Sequence, residues 1–219
     1  MPSLTGGSEN KPGSNINIHY PEILARVKAG QIVLDLGCCF GQDLRLLAAD
    51  GASPSETQMY ASDISEHLWE LGFDLFQDRD RMHARFIQAD ILDPTSGLKQ
   101  LNGKVDIVLA NQFLHLFDWE RQMIAMRNIV QLSKPGSLIV GHQRGQETPL
   151  VIKRSWGNMY IHNEDSWRRI WQEVNEETDT VWEVEAVMTD LSEWGMVQED
   201  IEWMPEGKKG INFAIRRTS

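Results

Sequence analysis

The chain has 219 residues, 41% hydrophobic and 24% charged, an ordinary folded-domain composition that excludes a disordered, fibrous or disulfide-framed protein. Asp and Glu number 32 against 21 Lys and Arg, a formal net charge of −11, so neither nucleic acid nor an anionic membrane surface is the expected partner. No apolar run reaches the roughly 18 residues of a membrane span, no secretory pattern opens the chain, and its two cysteines, Cys38 and Cys39, are adjacent, too close for the usual disulfide; a cytoplasmic, reducing compartment is expected.

Residues 1–17 read as a flexible leader, rich in Gly, Ser, Asn and Pro with little to bury. Residues 18–219 read as one domain. Within it, Pro21–Ala29 predicts a short helix with proline in its first turn. Gln31–Leu36 predicts a strand ending at Gly37, and Gln42–Ala49 a helix that stops near Gly51. Gln58–Ala61 is the second strand, followed by a helix over Ser65–Phe76 with Ser65 as its cap. Arg85–Gln88 is the third strand and Val105–Ala110 the fourth, apolar enough to be buried on both faces. Trp119–Leu132 is a long helix closed by Pro135 and Gly136, and Ser137–Gly141 is the fifth strand. Gly145–His162 reads as a long connection, either a grip on an apolar substrate or a packed Ω-loop. Asn163–Asn175 is a helix with a core stripe of Trp167, Ile170, Trp171 and Val174. Val181–Val187 and Asn212–Arg216 read as a final antiparallel pair. Strands alternating with helices predict an α/β, doubly wound, mostly parallel seven-stranded Rossmann-like sheet with an antiparallel last strand. Such sheets bind ligands outside the carboxyl ends of their strands.

The first strand ends in Asp35-Leu36-Gly37-Cys38-Cys39-Phe40-Gly41-Gln42-Asp43. A dinucleotide turn wants glycine where Cys39 stands, and a five-residue step to the last glycine where this chain takes four. Asp35, just before the turn, suits a cationic ammonium and repels a pyrophosphate, which points to S-adenosylmethionine; a turn that merely needs glycine is the plainer alternative. Asp63, at the end of the second strand, suits two ribose hydroxyls or a helix cap. Asp90, at the end of the third, suits the exocyclic amine of adenine with Ile91 against the ring. The fourth strand ends in Leu109-Ala110-Asn111-Gln112-Phe113-Leu114-His115, a stretch expected to face the sulfonium and methyl group.

These residues resemble the class I S-adenosylmethionine-dependent methyltransferases, and within them fungal O-methyltransferases of secondary metabolism, including meroterpenoid pathways. The likeness is carried by Tyr20-Pro21-Glu22-Ile23-Leu24, by Leu34 through Arg45, by Leu71-Gly72-Phe73-Asp74-Leu75-Phe76, by Phe86-Ile87-Gln88-Ala89-Asp90 and by Trp182-Glu183-Val184-Glu185. It implies cofactor contacts at Asp35, Gly37, Cys38, Gly41, Gln42, Asp43, Asp63, Ile64, Asp90, Ile91 and Asn111, with S-adenosylhomocysteine as product. It also implies a small apolar acceptor, a carboxyl group favoured. Relatives carry a longer structured segment before Tyr20 where this chain has its leader, so efficient catalysis is expected to suffer more than cofactor binding.

Methyl transfer from a sulfonium needs positioning and water exclusion; a carboxylate acceptor needs no base, whereas a phenol or alcohol does. His115 is the candidate base, or else a half-buried histidine. His142, Gln143, Arg144, Trp156 and Met159 are candidate substrate contacts, with Arg144 able to fork onto a carboxylate. Six of the eight tryptophans lie from Trp156 onward, which fits a pocket wall and equally a homodimer interface. No metal site is expected, because Cys38 and Cys39 lack CxxC or Cys/His spacing. The rival function is a methyltransferase-like accessory protein that keeps the fold without transferring methyl groups.

Overall fold

The structure is a computed structural model that describes residues 19–53, 55, 58–202, 204 and 208–219. The expected leader over 1–17 lies outside these residues. Seven strands form one sheet in the order β3-β2-β1-β4-β5-β9-β8. They are β1 Val33–Leu36, β2 Met59–Asp63, β3 Arg85–Gln88, β4 Val105–Leu109, β5 Ser133–Gly145, β8 Trp182–Asp190 and β9 Lys209–Arg217. Strands β1 to β5 run parallel, and β9, the last strand of the chain, inserts antiparallel between β5 and β8. Strands β1 and β4 are buried along their whole length, one aspartate in each, Asp35 and Asp106, included, as expected of mostly apolar central strands covered on both faces.

Helices cover both faces. On one face α1 (Tyr20–Lys28), α2 (Gln42–Ala49) and α3 (Glu66–Phe76) bury Ile23, Leu44, Leu47, Trp69 and Phe73 against Val33, Ile107, Leu138 and Val140. On the other, α4 (Trp119–Leu132) and α5 (Glu164–Thr178) bury Met126, Ile129, Trp167, Ile170 and Trp171 against Val108, Ile139, Phe213 and Ile215. The α5 stripe read from the sequence is therefore core. Asn163 caps α5 in a reciprocal box with Ser166, and Asp118 caps α4 by accepting from Arg121 N at 3.0 Å. Ser65 stands at the head of α3 without a side-chain cap bond; Asp63 Oδ1 instead accepts from Ser65 N at 3.0 Å.

The stretch between β5 and α5 departs from its expected form. The fifth strand runs on to Gly145, and residues expected as a loop make a hairpin, β6 (Leu150–Arg154) against β7 (Gly157–Ile161). Its apolar residues Leu150, Ile152, Met159 and Ile161 alternate and pack together, a period-two signal only a few residues long in each strand. A short four-residue helix, α6 (Gln198–Ile201), precedes β9. Among the described residues no helix is long and apolar enough to cross a membrane.

Candidate functional site

The glycine turn after β1 is drawn in against β2: Gly37 N and Cys38 N both donate to Ser62 O, at 2.8 and 3.1 Å. Gly37 has φ +68°, and a Cβ there would stand 2.5 Å from the Phe113 ring. Gly41 shares that φ for another reason: a Cβ would meet the Trp69 ring at 2.3 Å, so this glycine lets α2 pack on α3. Cys39 is itself left-handed, φ +51°, and its N donates to Asp63 Oδ2 at 3.1 Å. Burial pushes the Cys38 thiol far up, with Asp35 and Asp63 adding to it, and burial also raises Cys39. Both therefore remain thiols, not thiolate ligands or nucleophiles.

A cleft of about 430 Å³ opens beside this turn, within the size range of small-ligand sites. Its polar lining includes Gly37, Cys39, Ser62, Asp63 and Asp90, with Ile64, Ile91 and Leu92 between them. Each Asp63 oxygen accepts one backbone N–H, from Cys39 and Ser65, which leaves each a lone pair for a hydroxyl. Asp90 is exposed and its Oδ1 accepts from Leu92 N at 2.8 Å. Ile91 is buried, its carbonyl held by Asn128 Nδ2 at 2.6 Å. The apolar wall is Phe113, Leu116, Phe117 and Trp156, with Arg121 among them. Phe113 and Phe117 meet edge to face at 5.5 Å.

Asp35 and Asp43, 2% and 5% exposed, stand next to the turn without lining the cleft. Asn111 Nδ2 donates to Asp43 Oδ2 at 2.8 Å. Asp35 Oδ2 and Asn111 Oδ1 are buried without a partner among the described residues. Burial, then the charges of Asp43 and Asp63, holds the Asp35 carboxyl well above its ordinary range, and burial raises Asp43. Two buried carboxyls and two unpartnered acceptor oxygens need a cation with several N–H groups. A ligand that carries an ammonium, a pair of hydroxyls and a flat ring would find Asp35, the spare lone pairs of Asp63, and Asp90 with Ile91 in turn. Gln42, exposed at the start of α2, is not in the cleft wall.

A consequence is measurable without turnover. A carboxyl whose folded value lies above its unfolded one stabilises the fold below pH 4, and that contribution is lost as pH rises. Asp35→Asn is therefore expected to raise the melting temperature of the ligand-free protein at pH 7.5 and to change it little near pH 4. The same variant is expected to bind S-adenosylhomocysteine at least about tenfold more weakly. Melting curves at both pH values with and without ligand check this; a lower ligand-free midpoint at pH 7.5 would sink it.

The acceptor-side candidates divide between places. His115 follows β4 in a 3-10 turn, Leu114–Leu116. It is 4% exposed, and its backbone N donates to Gln143 Oε1 at 3.1 Å. His115 Nδ1 and Gln143 Nε2 are buried without partners among the described residues. Burial, then the charges of Arg144 and His142, pushes His115 down to about 3. His142 and Arg144 alternate with Gln143 along β5 and so face the opposite side of the sheet. His142 meets Trp194 edge-on at 4.8 Å, and burial lowers it to about 4. Met159 is buried in the hairpin's own cluster. Trp156, at the hairpin tip, is the one of these candidates that lines the cleft. Phe113 falls in the stretch after β4 expected to face the methyl group and does line the cleft; sequence reasoning missed Leu116, Phe117 and Arg121, the first two legible afterwards as apolar residues just before the Asp118 cap, whereas Arg121 carried no local signal.

A model of a methyltransferase domain matches residues 33–136. An O-methyltransferase, phiE, of a fungal species is 37% identical over 90% of this chain and 71% of its own length. The methyltransferase ausD of Aspergillus calidoustus is 40% identical over 75% of this chain and 62% of its own. The O-methyltransferase atr3 of Stereocaulon alpinum is 36% identical over 93% and 59%. The chain thus spans about 58 to 71% of the length of such curated relatives. Among solved structures, the 1,6-didemethyltoxoflavin-N1-methyltransferase of Burkholderia thailandensis, which holds S-adenosylhomocysteine, shares the fold. Its TM-score is 0.60 at 15% identity, over 94% of this chain and 80% of that one. A S-adenosylmethionine-dependent methyltransferase of Methanosarcina mazei gives 0.63 at 14%, over 90% and 97%.

Proposed function

The chain belongs to the S-adenosylmethionine-dependent methyltransferases, and from that premise we propose that it O-methylates a small, largely apolar secondary metabolite, a carboxylate before a hydroxyl. A meroterpenoid intermediate is the class of acceptor favoured by the resemblance. When bound, S-adenosylmethionine supplies a sulfonium methyl and leaves as S-adenosylhomocysteine. The chain's own part is to hold and to shield. Asp35, with Asp43 and Asn111 beside it, takes the ammonium; Gly37 makes room for the Phe113 ring at the cleft wall; Asp63 takes the ribose; Asp90 and Ile91 take the adenine. Phe113 and Phe117 keep water from the reacting region, which favours transfer to a weakly solvated nucleophile.

The observation that carries the carboxylate is that neither sheet-edge histidine, His115 or His142, lines the cleft. His115 and His142 are held neutral, with values of about 3 and 4. A phenol titrates near 10, so proton transfer to either imidazole is uphill by several units, and neither is a good general base at neutral pH. A carboxylate is already ionised and asks for none.

Incubation of the full chain with S-adenosylmethionine and paired acceptors, a terpenoid or aromatic acid and its phenolic counterpart, tests this. The acid is expected to gain one methyl group by mass at a rate that is flat between about pH 6 and 8. Methylation of phenols alone, with a rate that climbs with pH, would overturn the carboxylate. Cofactor binding without any methylated product would bring the accessory-protein reading forward.

A further inference from the structure

Trp156 is 67% exposed and yet forms part of the cleft wall. It sits in the two-residue turn between β6 and β7, and the root of that hairpin is fixed from inside the protein. Tyr160 N donates to Phe117 O at 2.9 Å. Gln122 Nε2 donates to the carbonyls of Phe117 and Tyr160 at 3.0 and 3.1 Å, and Gln122 Oε1 is 2.9 Å from His162 Nε2. Gln122 and His162 are fully buried. A rooted hairpin thus presents one large aromatic side chain to water at the rim of a ligand-sized cleft.

The hairpin tip lines the same cleft as the ends of β2 and β3. Helix α4 holds the loop after β3 through Asn128 Nδ2 and the Ile91 carbonyl. Arg121, two turns earlier on α4, lines the same cleft as Ile91 and Leu92. It reaches the hairpin turn as well: a Cβ on Gly157 would stand 3.2 Å from Arg121 Nη1. Trp156, Arg121 and Ile91 therefore share one cleft with Asp63 and Asp90, whereas His115, His142 and Gln143 are absent from its lining.

We propose that Trp156 is a cofactor-binding residue, its indole closing on the adenine of S-adenosylmethionine across from Ile91 while Arg121 supports the turn. The inference rests on the methyltransferase reading and assigns Trp156 to the cofactor and not to the methyl acceptor. An indole is suited to this because a purine offers it a flat π-face, and stacking of that kind contributes measurably to base binding.

Calorimetric titration of the full chain, of Trp156→Ala and of Trp156→Phe separates the outcomes, with S-adenosylhomocysteine and 5′-methylthioadenosine as ligands. The second ligand keeps adenine and ribose but lacks the amino-acid end. Trp156→Ala is expected to bind both about tenfold more weakly, with an unchanged melting temperature because the side chain lies at the surface. Trp156→Phe is expected to stay within about threefold of the parent. Binding of S-adenosylhomocysteine by Trp156→Ala within twofold of the parent would overturn the inference, as would a loss confined to that ligand and absent from 5′-methylthioadenosine. If the parent chain binds neither ligand, the methyltransferase reading itself fails, and this inference with it.

Discussion

Asp63→Ala is expected to weaken S-adenosylhomocysteine binding by about 30- to 100-fold, or roughly 2–3 kcal/mol. Two losses combine. A hydrogen bond contributes about 0.5–1.5 kcal/mol net, and the position of Asp63 at the end of β2 provides for two. The same side chain also holds the binding loop together, since its oxygens accept from Cys39 N and Ser65 N. With alanine those donors turn to water, and the left-handed Cys39 loses the bond that holds it. Titration of parent and variant with S-adenosylhomocysteine reads the difference directly. A loss of less than threefold would show that Asp63 serves only the loop and the head of α3. Asp63→Asn sharpens the test: it keeps one acceptor oxygen but no charge, and is expected to fall between the two.

Trp167→Ala is expected to lower the unfolding free energy by about 3–5 kcal/mol, the cost of emptying a fully buried tryptophan site. Trp167 is 0% exposed and joins α5 to the sheet. Its ring lies 4.8 Å from Phe213, 5.1 Å from His162 and 6.5 Å from Trp171. Neighbours so tightly interlocked relax little into a cavity. Trp167→Phe is expected to cost far less, because it keeps a ring and removes an indole N–H that is buried without a partner among the described residues. Urea unfolding of the three proteins tests both statements. A loss below about 1 kcal/mol for the alanine variant would mean that α5 is not an integral part of the core.

Much of this architecture is written locally. The bounds of α2, β3 and α4 coincide with those read from the sequence, because each pattern is flanked by its own punctuation. Gly41 and Gly51 bracket α2, and the Asp118 cap precedes α4. The acidic strand ends were legible for a related reason. A parallel sheet brings the carboxyl ends of its strands to one edge, so Asp35, Asp63 and Asp90 meet there whatever covers the faces.

The hairpin and the far side of the site were not legible in that way. Leu150, Ile152, Met159 and Ile161 alternate too briefly to speak for themselves. What makes them strands is their pairing with one another, and what positions them is the bond from Tyr160 to the Phe117 turn, some forty residues earlier. The strand-end histidines show the same limit. Composition and order placed His115, His142, Gln143 and Arg144 near the ligand edge, but strand alternation sends neighbours to opposite faces. Whether each then faces a cleft or a core depends on what packs over it. Sequence alone thus determined the fold class, the glycine turn and the acidic residues along the sheet edge, all of which follow from local pattern and chain order. Only the tertiary structure decided which histidines are buried and neutral, and that Trp156 and Arg121 reach the cleft, because burial and proximity are set by segments distant in the chain.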